Sequence, residues 1–420
     1  MGESADRTDP RREDLADFRC EVERWVRAEL PPKWLAAIDS AAFDTGPVLD
    51  DPDARHWFRV LAARGWIVPW WPREYGGAGL DEERSAVVRA VLAHYRAELP
   101  ARHFVPITLV GPGIMKWGTD AQRRRYLPGI ASGADMWCQL FSEPGAGSDL
   151  AALSTRARPA EDGNWIVDGQ KVWSSFADRS RYGLLLARTD PDRPKNAGLT
   201  CFLLDMRSPG VSTRPLRQIT GGAHFCEVFL DGVVLPDSAR LGPLHQGWRV
   251  ALSTLNAERS GLSGGSEVSA IALAPVLERA RVSRRWQEES IRDRLTALYV
   301  TERALELTNR RLHAAAARSG ADARGSITKL VQSELAQRIA ELGFELAGPR
   351  AAYWDADTVA LADGAEPMTP QAHALLDSRR LTIAGGTSEI QRSIIGERVL
   401  GLDREPDPDR GRPWRELRHG

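Results

Sequence analysis

From Leu15 to about Ser132 apolar residues recur at helical spacing, broken by proline and glycine clusters, notably Pro31-Pro32 and the stretch from Trp70 to Gly79. The pattern predicts helices. Between about Met136 and Leu241 the texture changes to short runs rich in valine, phenylalanine and leucine, separated by turn signals, which predicts strands. Tyr182 to Arg188, Leu199 to Met206 and Phe225 to Leu230 are such runs. Trp165-Ile166-Val167, then Asp168-Gly169, then Val172-Trp173 reads as a hairpin, because Asp-Gly suits the positive φ angles of a tight type I′ turn. After Gly247 the helical period returns. Ile291, Leu295, Leu298, Leu305 and Leu312 keep one face, and Ile327, Val331, Leu335, Ile339, Leu342 and Leu346 keep another, as helices of a bundle do. The segment from Tyr353 to about Leu376 breaks the period at Asp357, Gly364, Pro367 and Pro370 and reads as a loop containing a short helix.

The expected fold class is therefore α+β, mainly α. An N-terminal α-helical domain spans 1–135, a middle β-barrel-like or sandwich domain 136–241, a C-terminal four-helix bundle 242–402, and a charged, proline-bearing surface tail 403–420. With 420 residues and 42% hydrophobic content, the chain can fill cores of that number. Lysine plus arginine total 56 against 57 acidic residues, so the chain carries no basic footprint for nucleic acid or an anionic membrane. Cys20, Cys138, Cys201 and Cys226 have no redox or metal-ligand spacing, which fits packing roles in a reducing compartment and no metal. No apolar run approaches a membrane span, and Met1 to Phe18 lacks the pattern of a targeting signal, so the expected location is the cytoplasm.

Three motifs carry chemistry. They are Gln139-Leu140-Phe141-Ser142-Glu143-Pro144-Gly145-Ala146-Gly147-Ser148-Asp149, then Asp168-Gly169-Gln170-Lys171-Val172-Trp173-Ser174-Ser175, and finally Gly385-Gly386-Thr387-Ser388-Glu389-Ile390-Gln391-Arg392. Gly145 and Gly147 permit close approach of backbone to a ligand. In this order, flanked by helical segments, the motifs closely resemble the acyl-CoA dehydrogenase family over nearly the whole chain. That resemblance implies FAD as cofactor and removal of a proton and a hydride from adjacent carbons of an acyl-CoA. It implies that Phe141 and Ser142 bond the flavin's pyrimidine edge, that Trp173 covers one side of the ring system, and that the Ser175 hydroxyl stands near flavin N5 where the family usually has threonine. Thr387 and Glu389 would reach the ribose and pyrophosphate at a helix start, which suits phosphate. Gly348, in Leu346-Ala347-Gly348-Pro349, would contact the FAD of a neighbouring subunit, which implies a homodimer or homotetramer. Ser148 would sit near the CoA moiety, although Ser148 and Asp149 equally suit a turn or helix cap. The family's arginine-bearing motif for the pyrophosphate is not recognisable near Arg284, Arg285 and Trp286.

Many members place the catalytic glutamate just before the Gly-Thr-Ser turn, where this chain has Ala384 and Gly385. A minority carries it on a helix before an arginine, and Leu255-Asn256-Ala257-Glu258-Arg259 resembles that arrangement. Glu258 is then the base, and Gly385 leaves it space and offers a backbone N–H to the thioester carbonyl. The bland alternative for Glu258 is a solvated carboxylate on a helix surface. Arg259 belongs to the substrate side of the site, its expected work being to hold that helix and its neighbours. His224 reads as exposed or packed, and Trp66, Trp70 and Trp71 as core rather than a cofactor box.

The resemblance further implies an acyl-CoA or acyl-carrier-protein thioester as substrate, with a branched or polycyclic acyl group expected from the position of the base, and an electron-transferring flavoprotein as electron acceptor. Two alternatives share the scaffold: a noncatalytic FAD-binding subunit of a heteromeric dehydrogenase, and a flavin oxidase or monooxygenase.

Overall fold

The computed structural model describes residues 10–39, 52–95, 97, 103–262, 271–319, 323–353 and 368–417. It divides into two compact units, the first holding residues up to 107 and 114–136, the second holding 108–113 and everything from Trp137 on.

The first unit is helical. It contains α1 (Pro10–Glu29), α2 (Pro32–Asp39), α3 (Pro52–Ala63), α4 (Glu82–His94), the C-terminal part of α5 (Gly111–Trp117) and α6 (Asp120–Ala131). Helix starts are set by side chains that satisfy otherwise unpaired N–H groups. Asp81 accepts from the Arg84 N–H at 2.8 Å to open α4, and Thr119 with Gln122 forms a reciprocal capping box on α6. Trp66 and Trp71 are buried, and the edge of Trp66 meets Trp25 at 4.6 Å, as core tryptophans do. Trp70 departs from the expected core placement, standing exposed with the Arg89 guanidinium 5.5 Å from its ring.

The second unit opens with an eight-stranded sheet: β1 (Trp137–Leu140), β2 (Arg156–Pro159), β3 (Trp165–Ser175), β4 (Tyr182–Arg188), β5 (Leu199–Asp205), β6 (Val211–Leu216), β7 (Phe225–Leu235) and β8 (Arg240–Leu241). Strand order is β6-β7-β3-β2-β4-β5-β8, with β1 lying parallel to β4. Trp165 on β3 and Phe202 on β5 are not sheet neighbours, yet their rings meet at 5.6 Å. The sheet thus curls over a core of Leu140, Val167, Leu185, Phe202, Val228 and Val233, which gives the expected middle domain its barrel-like character.

Asp168-Gly169 is not a hairpin turn; β3 runs straight through it, and the ladder with β7 shifts register between Val167 and Gly169. The reversal lies instead between β2 and β3, where Gly163 takes φ +83°. The extra residue of that register shift lies on β7, where Asp231 and Gly232, the latter at φ +60°, stand opposite the single Asp168. Asp168 accepts from the Gly232 N–H at 2.8 Å, and a Cβ on Gly169 would lie 2.4 Å from the Thr155 hydroxyl.

The helices that follow are α7 (Gly247–Leu262), α8 (Leu273–Val282), α9 (Glu289–Ser319), α10 (Gly325–Ala347), α11 (Pro370–Leu381) and α12 (Ser388–Ile394). Ile291, Leu295 and Leu298 of α9 meet Leu335, Ile339, Leu342 and Leu346 of α10 in one cluster, the periodic faces packing as bundle helices do. α7 begins hard against β5: a Cβ on Gly247 would lie 2.6 Å from Thr200 backbone atoms. That contact fixes the start of the helix bearing Glu258. The expected loop from Tyr353 to Leu376 lies mostly outside the described residues, at 354–367, and α11 is its helical part.

Candidate functional site

The first two motifs meet at the end of β3. Val172 donates its N–H to the Ser142 carbonyl at 2.9 Å, and Lys171 Nζ donates to the Phe141 carbonyl at 3.0 Å. Lys171 also reaches Glu143 Oε1 at 2.8 Å, with both side chains shut away from solvent. Glu143 accepts further from the Ser154 N–H and hydroxyl and from the Thr155 N–H. Burial opposes the charge on Glu143, but the Lys171 ammonium and these hydrogen bonds outweigh it and hold the carboxyl at about 2. The segment Phe141–Glu143 is thereby clamped from within. Its three carbonyls accept from Lys171, Val172 and Ala146, and the Ser142 hydroxyl bonds to no described residue.

Past Lys171 the ladder with β7 breaks again, between Lys171 and Ser174. Trp173 takes φ +61° and Phe176 φ +54°, conformations costing about 1–3 kcal/mol each for residues other than glycine. The kink turns Trp173 outward, leaving 62% of it exposed beside half-buried Ser175. Backbone strain used to expose a large indole is a mark of a ligand-facing site rather than of core packing. Phe176 stacks on His224 at 5.3 Å, and the ring nitrogen of His224 lies 3.0 Å from Gln218 Nε2. Burial and the charge of Arg380 push the His224 pKa down, so the imidazole is packed and neutral, not exposed.

The third motif forms a turn with Gly385 at φ +68° and Gly386 at φ +96°. Thr387 caps α12, its hydroxyl accepting from the Ile390 N–H at 3.2 Å. Glu389 points to solvent near Arg392, at 3.8 Å. Gln391, to which the sequence reading gave no role, is buried and donates to the carbonyls of Gly385 and Gly386 at 3.2 and 3.1 Å, so it fixes the turn. Gly348 closes α10 with φ +70° and open space around it. Ser148 is exposed, and Asp149 pairs with Lys195 at 2.7 Å instead of capping the short helical turn that follows it. Glu258 and Arg259 lie in the last turns of α7, and their side chains are outside the described residues.

The residues around these motifs fit a bound planar, polar cofactor. Gln139 Nε2, Ser174 Oγ, Ser388 Oγ and Gln391 Oε1, which fall across all three motifs, are buried with no partner among the described residues. Buried polar atoms are nearly always bonded, so an open one in each motif matches a ligand that supplies donors and acceptors. Among the described residues no group of histidine, cysteine and acidic side chains is arranged to hold a metal ion, and no helix is long and apolar enough to cross a membrane.

A helical segment, a curled sheet with a kinked strand and a second helical segment follow one another along the chain. The acyl-CoA dehydrogenase N-terminal, middle and C-terminal domain models match residues 12–134, 138–233 and 245–400. The chain is 35% identical to acyl-CoA dehydrogenase IpdE1 of Mycobacterium tuberculosis over 94% of its own length and 99% of that protein's. It is 40% identical to acyl-CoA dehydrogenase FadE34 of the same organism over 82% of this chain, but spans only 46% of that relative's length. A solved structure described as Tcur3481-Tcur3483 steroid ACAD superposes with a TM-score of 0.75 at 26% identity, covering 94% of this chain and 98% of that one. This chain belongs to the acyl-CoA dehydrogenase family. Membership implies a flavin cofactor and an oxidoreductase.

Proposed function

We propose that the chain binds FAD and performs α,β-dehydrogenation of an acyl-CoA, with Glu258 as the base. The observation that carries this reading is the junction of the first two motifs: Val172 tied to Ser142 at 2.9 Å, with exposed Trp173 and then Ser175 immediately beyond. When bound, the flavin supplies the acceptor for the hydride. Phe141 and Ser142 meet its pyrimidine edge; since Lys171 and Val172 engage their carbonyls, the Ser142 hydroxyl is the group best placed to bond a ligand. Trp173 covers one side of the ring system and Ser175 offers a hydroxyl near N5. Thr387 and Glu389 face the ribose and pyrophosphate, and Gly348 approaches the FAD of a second subunit. The Thr387 hydroxyl already caps α12, so its part is to shape the turn as much as to bond the cofactor.

Glu258 removes the proton from the carbon beside the thioester carbonyl, while the Gly385 N–H bonds that carbonyl and stabilises the enolate-like charge that develops. Ser148 meets the CoA arm, and Arg259 holds the substrate-side helix. The two-glycine turn at Gly385 supports the placement, since no side chain from that turn competes with Glu258 for the reacting carbon. A branched or polycyclic acyl group is what the family resemblance associates with a base on a helix, and similarity to a protein described as a steroid ACAD points the same way. Electrons pass to an electron-transferring flavoprotein. The test is anaerobic titration of the oxidised flavin with straight, branched and polycyclic acyl-CoAs: bleaching by a bulky thioester is expected, and bleaching by short straight chains alone would reject the substrate assignment.

A further inference from the structure

Arg188, at the end of β4, is buried with no hydrogen-bonded carboxylate among the described residues, a costly placement for a permanent charge. Its guanidinium is spent on backbone instead. Nη2 donates to the Ala151 carbonyl at 2.7 Å, Nε to Leu153 at 3.1 Å and Nη1 to Lys195 at 3.2 Å, while its N–H donates to Thr155 at 2.8 Å. The carbonyl between the first two, on Ala152, accepts from the Trp414 indole N–H at 3.1 Å. Trp414 also lies over the Arg188 guanidinium, 4.3 Å from ring centroid to charge. The segment holding Trp414 runs along 191–194: Trp414 N–H donates to the Arg193 carbonyl at 2.9 Å, Arg415 N–H to Pro191 at 3.1 Å, and Arg415 pairs with Asp192 at 2.8 Å.

These bonds converge on the short helical turn Leu150–Ala152. Immediately before it, Pro144, Gly145, Gly147, Ser148 and Asp149 stand exposed, and a Cβ on Gly147 would meet nothing within 4 Å. A solvent-facing turn whose downstream end is locked by a buried arginine and a tryptophan from a distant segment is built to hold a fixed shape toward open space, as a preorganised binding turn must. We propose that Arg188 and Trp414 are positioning residues for the Gly145–Asp149 turn, holding it in the shape in which it meets the CoA arm. The proposal rests on the placement of Ser148 near CoA and adds the device that holds it there. Trp414 supplies both the lid over the guanidinium and the bond to Ala152, so its loss frees the turn without touching the flavin-facing residues.

The test is calorimetric titration of the FAD-loaded protein with coenzyme A itself, in the wild type, Trp414→Ala and Trp414→Phe. Loss of a desolvated cation–π contact and one hydrogen bond is expected to weaken CoA binding about tenfold in Trp414→Ala. Trp414→Phe keeps the ring over Arg188 and should recover most of that loss. FAD content and the flavin spectrum should match the wild type in both variants, which separates the effect from general unfolding. Unchanged CoA affinity in a folded, FAD-loaded Trp414→Ala, or no CoA binding by the wild type, would overturn the proposal. Failure of the dehydrogenase reading shows separately, as flavin that no acyl-CoA bleaches while CoA still binds.

Discussion

Lys171 and Glu143 form an ion pair at 2.8 Å that solvent barely reaches, and the same Lys171 holds the Phe141 carbonyl at 3.0 Å. The pair therefore couples the stability of the sheet to the shape of the first cofactor motif. Buried pairs add little net stability, but breaking one strands a charge, at a cost of about 3–5 kcal/mol. Glu143→Gln is expected to lose stability of that order in denaturant unfolding and to release FAD more readily. Lys171→Met, which removes the cation but leaves Glu143 bonded to Ser154 and Thr155, should be the milder change. Equal stability of Glu143→Gln and the wild type would show that the pair is not the clamp.

The same carboxyl sets an acid limit. Its folded pKa of about 2 lies below the ordinary 4.5, so its contribution is fully present above about 4.5 and is lost as the pH falls toward 2. Thermal melts of the holoprotein should therefore show Tm falling across that window, and falling less steeply in Glu143→Gln. Parallel pH profiles for the two proteins would assign the acid limit to other groups.

Trp173 separates a cofactor role from a packing role. Because its side chain is exposed, Trp173→Ala should change the stability of the protein without cofactor by no more than about 0.5 kcal/mol. The affinity for FAD and the shape of the visible flavin bands should both change. An unaltered FAD dissociation constant and spectrum would remove Trp173 from the cofactor site.

Glu258→Gln tests the base. With FAD retained, the rate of substrate bleaching should drop by about 10²–10⁴-fold, the usual worth of a positioned acid or base. Full-rate bleaching in that variant would return Glu258 to the role of a solvated helix carboxylate.

The local sequence determined the elements that depend on neighbours in the chain. The apolar run Tyr182 to Arg188 is β4 residue for residue, and the periodic faces of α9 and α10 pack where their leucines and isoleucines said they would. The third motif also marked a turn of permissive backbone, since Gly385 and Gly386 both take positive φ. Tertiary structure decided the rest. Asp168-Gly169 suits a turn, and only pairing with β7 kept it inside a strand. Nothing in a chain with 56 basic residues marks Arg188 as buried. The bond from Trp414 to Ala152 spans 262 positions, a contact that no local period can encode. Burial and charge pairing are properties of the packed environment, so Glu143, Lys171, Arg188 and Trp414 took on their roles only when the sheet closed around them.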